Sequence, residues 1–341
     1  MKGFITGYIF SLLFALCFIG RTYAISSTII PVGTVPERVA VNQITNRIYV
    51  ANLNSNNVSV IDGNSDTVIA TVSVGNGPSD IGINTVTNMI YVSNSGANTV
   101  SVVDGGSNTV VATISGLSFP IRVSVNAVTN QVFVVNNNKN SVSVIDGSSN
   151  SIITTIPVGS GSFGIRVNSA TNLAYVTNLY AGTISVIDGQ SDTVTSTFTL
   201  PQPANPGNIA LDPITNELLV TDGFNSKVYV INASSGALLG TITGSGKLPF
   251  APPTGIVEFQ LGKSALVSFS SINGLMLVSD SSYTVVTGLK SGNGPAGMAV
   301  NRKTGKVYVT QINNGTVIVY SGLFGMKSAT PPGKGQTPRS R

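Results

Sequence analysis

An all-β fold, a seven-bladed β-propeller built from four-stranded blades, is predicted by three features of this sequence. First, a unit of about 42 residues recurs, and a period of that length is typical of one propeller blade. Second, a strand pair rich in Val, Ile and Tyr appears seven times, ending at Val50, Val92, Val134, Val176, Val220, Val267 and Val309. Third, the two ends of the chain hold complementary parts of one blade.

The first unit shows why four strands are expected in each blade. Residues 38–42, 47–50, 57–61 and 67–74 alternate in polarity and are rich in Val, Ile and Thr, as half-buried strands are. We name these strands A, B, C and D. A Thr-Asn pair separates A from B, and an Asp-Gly pair follows C. Both pairs contain residue types that favour tight turns. The aspartates recur at Asp62, Asp104, Asp146 and Asp188, so we interpret them as turn residues.

The last unit lacks a D strand, and the N-terminal segment 27–32 resembles one. That segment ends in Val32-Gly33, as ordinary D strands end in Val74-Gly75 and Val158-Gly159. We therefore predict that it completes the seventh blade and closes the ring, which removes the open edges of the array. The sixth unit departs most from the pattern, because Gly262-Lys263 replaces Thr-Asn and Phe259 replaces Asn or Asp.

The segments on either side of the propeller predict the protein's location. Residues 1–24 contain Lys2 and an apolar run over 4–20, which is typical of a signal peptide cleaved after Ala24. A retained membrane anchor is the alternative. We predict a propeller over 25–322 and a disordered, basic, Pro/Gly-rich tail over 323–341. The protein is thus expected to be secreted, extracellular or in the cell envelope (periplasm or cell surface), without membrane insertion after cleavage.

The tetrapeptide Tyr175-Val176-Thr177-Asn178 occurs in the fourth unit. With the recurring TVSVID-like and TVxVG-like segments, it makes residues 27–322 resemble the YVTN-family β-propeller repeats of bacterial and archaeal surface and secreted proteins. The resemblance implies a repeat architecture and brings no catalytic residues. The A–B turn departs from that family, because Asn-x-x-Thr-Asn stands where Pro-Asp-Gly is more usual.

Composition excludes several chemistries. The chain has no histidine, and its single cysteine, Cys17, lies in the predicted signal peptide, so histidine- and thiolate-based catalysis is excluded in the mature protein. We expect no cofactor and no metal site. Residues 25–322 hold 12 Lys and Arg against 13 Asp and Glu, and this near-neutral balance argues against nucleic acid as a partner.

Candidate site residues are those that differ between the units on one face. Propeller topology puts the B–C and D–A loops on the same face, which we call the top face. Some units have an aromatic residue in the B–C loop (Tyr180, Phe224) or in the D–A loop (Phe119, Phe163). Charged residues start successive A strands (Arg38, Asp80, Arg122), and Arg166 occupies an A-strand position where most other units have Ala, Gly or Ser. A buried arginine needs a carboxylate or an anion as its partner.

These observations predict a non-catalytic binding or interaction module, a monomer that binds a protein or a glycan through its top face. Two other functions stay open. One is a lactonase-like hydrolase, because seven-bladed lactonases look broadly similar, and its activity would depend on Glu258 or Asp80. The other is a nucleic-acid binder, which would show steeply salt-dependent binding. Genetic drift in solvent-exposed loops, without any binding site, would also explain the variation between the units.

Overall fold

Seven antiparallel sheets follow one another around a central channel, which confirms the seven-bladed propeller. The structure, a computed structural model, describes residues 14–18, 21–243, 253–260, 264–279 and 282–323. For residues 14–18, 21–24 and 260 only the backbone is described. In each blade the A strand is innermost, and in the first six blades the D strand is outermost.

The first four blades are the most regular. The first comprises β3 (Pro36–Asn42), β4 (Arg47–Asn52), β5 (Asn57–Asp62) and β6 (Thr67–Ser73). The second comprises β7 (Pro78–Asn84), β8 (Met89–Asn94), β9 (Thr99–Asp104) and β10 (Thr109–Ile114). The third comprises β11 (Pro120–Asn126), β12 (Gln131–Asn136), β13 (Ser141–Asp146) and β14 (Ser151–Pro157). The fourth comprises β15 (Ser162–Asn168), β16 (Leu173–Asn178), β17 (Thr183–Asp188) and β18 (Thr193–Thr199).

The remaining blades keep the same strand order. The fifth comprises β19 (Pro206–Asp212), β20 (Glu217–Asp222), β21 (Lys227–Asn232) and β22 (Leu238–Ile242). The sixth comprises β23 (Gly255–Gln260), β24 (Ser264–Phe269), β25 (Gly274–Ser279) and β26 (Thr284–Lys290). The seventh contains β27 (Pro295–Asn301), β28 (Lys306–Gln311) and β29 (Thr316–Ser321). Short 3-10 turns occupy two B–C loops, at Asn137–Lys139 and Ser270–Ile272.

The N-terminal strand closes the ring as predicted. Strand β2 (Arg21–Pro31) pairs antiparallel with β29, and the pairing runs from Ser26 opposite Ser321 to Pro31 opposite Thr316. A further strand, β1 (Phe14–Phe18), pairs with β2 on its other side and gives this sheet five strands. The rest of the predicted signal peptide, residues 1–13 and 19–20, lies outside the described residues, as does the predicted tail from residue 324. Leu323, the first residue of the predicted tail, is buried in a hydrophobic cluster with Phe259 and Met298.

Among the described residues, the core consists of seven hydrophobic clusters formed mainly between neighbouring blades. Tyrosines at one B-strand position are almost fully buried there: Tyr49, Tyr91, Tyr175 and Tyr308. Two of them reach the C–D turn of the following blade. Tyr91 Oη donates to the Gly147 carbonyl over 3.4 Å, and Tyr308 Oη donates to Asp66 over 3.1 Å. In the sixth blade Phe259 lies at a strand irregularity and is buried in a core cluster.

A chain of asparagine side chains links consecutive blades at the bottom face, where the A–B and C–D turns lie. Asn84 is fully buried, and its Oδ1 accepts from the backbone N–H groups of Val86 (2.9 Å) and Thr87 (3.1 Å). Its Nδ2 donates to Asn130 Oδ1 of the next blade over 2.7 Å. Equivalent links join further pairs: Asn301 to Asn46, Asn42 to Asn88, and Asn126 to Asn172.

The accepting asparagines explain the Thr-Asn pair in the repeat. Asn46, Asn88, Asn130 and Asn172 have φ between 56° and 58°, a left-handed conformation that asparagine tolerates better than most residues. One side chain type therefore permits the turn and also accepts the link from the preceding blade. The predicted turn role of Thr-Asn is confirmed, and the inter-blade link is an additional finding.

The repeated aspartates cap the C–D turns. Asp62 Oδ1 accepts from the backbone N–H groups of Asn64 (2.8 Å) and Ser65 (3.0 Å), and Arg47 forms an ion pair with the same carboxylate. The Ser65 and Asn64 backbone bonds, with a smaller contribution from Arg47, lower the pKa of Asp62 from 3.8 to about 2. In the third blade the Ser148 backbone bond lowers the pKa of Asp146.

We predict that Asn84→Ala lowers the free energy of unfolding by about 2–4 kcal/mol, because it removes three hydrogen bonds and leaves buried groups without partners. Chemical denaturation of the full chain measures the change. Val86→Ala in the same turn is the control, since Val86 is 74% exposed. A loss for Asn84→Ala no larger than that of Val86→Ala would contradict the structural role of the link.

We predict that acid weakens the fold through the aspartate turns. Because folding lowers the pKa of Asp62, its carboxylate stabilises the protein above pH 3.8, and this contribution is lost as the pH falls through about 2. Asp62→Asn is therefore expected to reduce the drop in melting temperature over that interval. Asp192→Asn is the control, and it is not expected to reduce that drop, because burial raises the pKa of Asp192. An unchanged pH profile in Asp62→Asn would contradict the prediction.

Candidate functional site

The inner strands enclose a channel of about 250 Å³ along the axis of the ring. Small residues occupy one A-strand position in most blades, because the strands converge there. In the second blade that residue is Gly82, where an added Cβ would lie 2.9 Å from the Val125 side chain. Arg166 stands at this position in the fourth blade, paired across the sheet with Tyr175 as Ala40 is paired with Tyr49.

The channel opens at the top face into a wider mouth of about 550 Å³. Phe163 and Phe224 line the mouth together with loops of the fourth to seventh blades. Three residues line both the mouth and the channel, and they define what we call the neck: Arg38, Arg122 and Asn208. A ligand passing from the mouth into the channel contacts this neck.

Arg122 is the most buried arginine of the neck, with 8% of its surface exposed. Its Nη1 donates to the Ile121 carbonyl over 2.8 Å, and its guanidinium lies 4.8 Å from the centre of the Phe163 ring. That geometry is a cation–π contact, which orients the guanidinium. The Nε atom is buried and makes no hydrogen bond within the described part of the chain.

The other two arginines of the channel, Arg38 and Arg166, donate hydrogen bonds to neutral acceptors. Arg38 Nη2 donates to Asn208 Oδ1 over 2.8 Å, and Asn208 Nδ2 donates to the Thr254 carbonyl over 2.9 Å. Arg166 Nη1 makes a long contact of 3.4 Å with the Ile165 carbonyl. None of the three ion pairs found among the described residues includes Arg38, Arg122 or Arg166.

Asp80 is the carboxylate that lines the channel beside these arginines. It is 8% exposed, and its Oδ2 accepts the Val123 backbone N–H over 3.0 Å. At the opposite end of the channel Glu258 is buried and forms an ion pair with Arg302. That pair is internally balanced, so the charge of Arg302 does not act on the neck as an uncompensated cation.

Burial and like charge disfavour the protonated form of Arg122. Burial, followed by the nearby Arg38, lowers the pKa of Arg122 to about 10, while Asp80 and Glu37 act in the opposite direction. Burial also lowers the pKa of Arg166. Both guanidinium groups stay charged at neutral pH, because an arginine side chain starts from a very high pKa. The channel therefore contains cations that raise one another's free energy.

The structure brings six of the eight candidate residues together. Arg38, Asp80, Arg122 and Arg166 line the channel, and Phe163 and Phe224 line the mouth. Phe163 is the second residue of β15, whereas the sequence placed it in a loop. Phe119 and Tyr180 line neither space.

Two further residues belong to the site although the sequence analysis did not select them. Asn208 occupies the same repeat position as Arg38, Asp80 and Arg122, so comparison of the units at that position could have found it. Glu37 lines the mouth and acts electrostatically on Arg122. Its proximity depends on the folding of the ring, and no sequence signal marked it.

The described residues contain neither a metal-binding cluster nor a membrane-spanning helix. No cluster of three or more Asp, Glu, Cys or His side chains there is arranged to hold a metal ion. Within the same residues, no helix has both the length and the apolar character needed to cross a membrane.

The fold and the channel define a β-propeller, and comparison with known proteins identifies its family. The model of the YNCE-like beta-propeller family matches residues 38–257, more than half of the chain, so the chain belongs to this family. No protein with curated annotation matches it. The resemblance to YVTN-family repeats stays an expectation from the sequence.

Among solved structures, the hydrazine synthase of Kuenenia stuttgartiensis is similar in fold, with a TM-score of 0.76 and 14% sequence identity. The match covers 84% of this chain and 95% of that one. At this identity the likeness concerns the fold alone. In all, 1567 chains of known structure match, so likeness of fold does not select among their functions.

We predict that Phe163→Leu lowers the free energy of unfolding by about 1–2 kcal/mol, because it removes the cation–π contact with a desolvated guanidinium. Denaturant titration measures the loss. Phe119→Leu serves as the matched control, since Phe119 is 40% exposed in the preceding D–A loop. Equal losses in the two variants would show that the Arg122 contact contributes nothing.

Proposed function

We propose that this protein is a non-catalytic binding module that recognises a protein or a glycan through the mouth and neck on its top face. The observation that carries the proposal is a set of arginines without ion-pair partners in the described structure, at the base of a mouth lined by two aromatic rings. Pockets that combine apolar walls with a few convergent polar groups are typical of ligand sites.

The chemistry of the neck favours binding over catalysis. Arg38 and Arg122 carry guanidinium groups, which neither take up nor release protons at neutral pH. Asn208 is an amide and does not titrate. The nearby Asp80 carboxylate already accepts a backbone N–H, which keeps it fixed beside the arginines. Groups of this kind hold and orient an anionic or polar ligand.

We further propose that the protein is secreted or displayed at the cell surface. The pairing of β2 with β29 begins at Ser26, two residues after the proposed cleavage site at Ala24. Removal of residues 1–24 would therefore keep the closing strand and leave the seventh blade with four strands, as in the other six. N-terminal sequencing of the mature protein tests this proposal, and an N-terminus before residue 20 would contradict it.

We predict that Phe224→Ala weakens binding to an array of glycans and peptides at least about tenfold, because a large ring at the ligand contact is removed. Phe224 is 78% exposed, so the substitution is expected to leave the fold intact. Ile214→Ala is the control, since Ile214 is exposed in a bottom-face turn of the same blade. Equal binding by wild type and Phe224→Ala, or equal losses in both variants, would contradict a top-face site.

A further inference from the structure

We propose that the neck binds a single carboxylate group and that the ligand presenting it is a sugar acid. This inference rests on the proposed function, because it names the ligand class of the same site. Four observations carry it: the balance of charge around the neck, the donors that its arginines still offer, the depth of the site and the chemistry of the mouth.

The charge balance leaves room for one negative charge. Arg38, Arg122 and Arg166 supply three positive charges, while Asp80 and Glu37 supply two negative ones. The channel's remaining charged pair, Arg302 with Glu258, is neutral in sum. Arg122 is buried while Arg38 and Arg166 are half-buried, and a surplus positive charge around a buried guanidinium is unfavourable until an anion neutralises it. A monovalent carboxylate matches that surplus, whereas a divalent phosphate or a polyanion exceeds it.

The arginines have donors available for such an anion. A guanidinium has five N–H groups, and Arg122 uses Nη1 for the Ile121 carbonyl while its buried Nε makes no hydrogen bond. Arg38 and Arg166 each make one hydrogen bond with a neutral acceptor. Guanidinium groups bind planar carboxylates through paired, charge-assisted hydrogen bonds, so the remaining donors suit this ligand chemistry.

The shape of the site separates the charged group from the rest of the ligand. The neck joins a channel of about 250 Å³ to a mouth of about 550 Å³, so a carboxylate at the neck leaves its ring in the mouth. The mouth offers two phenyl rings, Phe163 and Phe224, and the half-buried amide side chain of Asn205. A sugar ring uses both kinds of surface, because its C–H face packs on aromatics while its hydroxyls form hydrogen bonds.

The first experiment measures binding of glucuronate and glucuronamide to the full chain by isothermal titration calorimetry. The two probes share a ring, and the amide replaces the carboxylate with a neutral group. We expect glucuronate to bind at least tenfold more tightly than glucuronamide. Inorganic phosphate and N-acetylglycine, which mimics a protein C-terminus, are measured beside them and are expected to bind more weakly than glucuronate.

Three variants locate the carboxylate. Arg166→Gln removes a cation that lies in the channel and acts electrostatically on Arg122 of the neck, so it is expected to weaken glucuronate at least tenfold. The variant is expected to fold, since most other blades have small residues at this position. Asp80→Asn keeps an oxygen that can accept the Val123 N–H and removes a negative charge, so it is expected to bind glucuronate more tightly than wild type. Lys303→Gln removes an exposed bottom-face charge and is expected to change nothing.

The outcomes separate this inference from the proposed function. Equal binding of glucuronate and glucuronamide, tighter binding of phosphate, or no effect of Arg166→Gln overturns the carboxylate site. Tighter binding of N-acetylglycine overturns the sugar acid in favour of a protein terminus. Capture of neutral glycans that requires Phe224 overturns the carboxylate and leaves the proposed function standing, whereas loss of all top-face binding overturns both.

Discussion

The hydrogen bond between a buried asparagine of one blade and the left-handed asparagine of the next is the contact on which this ring depends most. In the link from Asn84 to Asn130, one side chain caps its own turn and also reaches its neighbour. The links connect the seventh blade to the first and continue through the second, third and fourth. Because a blade cannot shift without breaking such a bond, the links fix the spacing of the inner strands.

That spacing determines what the channel can contain. Where the inner strands converge, most blades have Ala, Gly or Ser, and at Gly82 an added Cβ would lie only 2.9 Å from Val125. The arginines lie where the blades differ, at the third residue of β3, at the third residue of β11 and at the position of Arg166. A regular scaffold thus places an irregular, charged lining at its axis. The uniform positions hold the blades together, and the divergent ones carry the chemistry.

Much of this arrangement could be predicted because the repeat is regular. Blade number, strand order and ring closure depend on local periodicity, and Arg166 was recognisable because five other units have Ala, Gly or Ser at its position. The environment of each aromatic residue was not predictable. Tyr180 and Phe224 share a loop position, but the residues two positions before them bond differently. Asn178 bonds within its own blade, whereas Asp222 accepts the Asn205 N–H from the loop between β18 and β19. Phe163 meets Arg122 of the preceding blade, a contact that depends on how neighbouring blades are rotated.

The strand that closes the ring has a consequence for how the chain folds. Ser26 pairs with Ser321, so residues from opposite ends of the sequence must meet before the seventh blade exists. Contacts this distant in sequence form late and slowly, since a long loop must be closed before they contribute stability. Until the final strand has been synthesised, the partly folded array exposes an unpaired β edge. The protein is therefore most exposed to wrong strand pairing until β29 has been synthesised and has paired with β2.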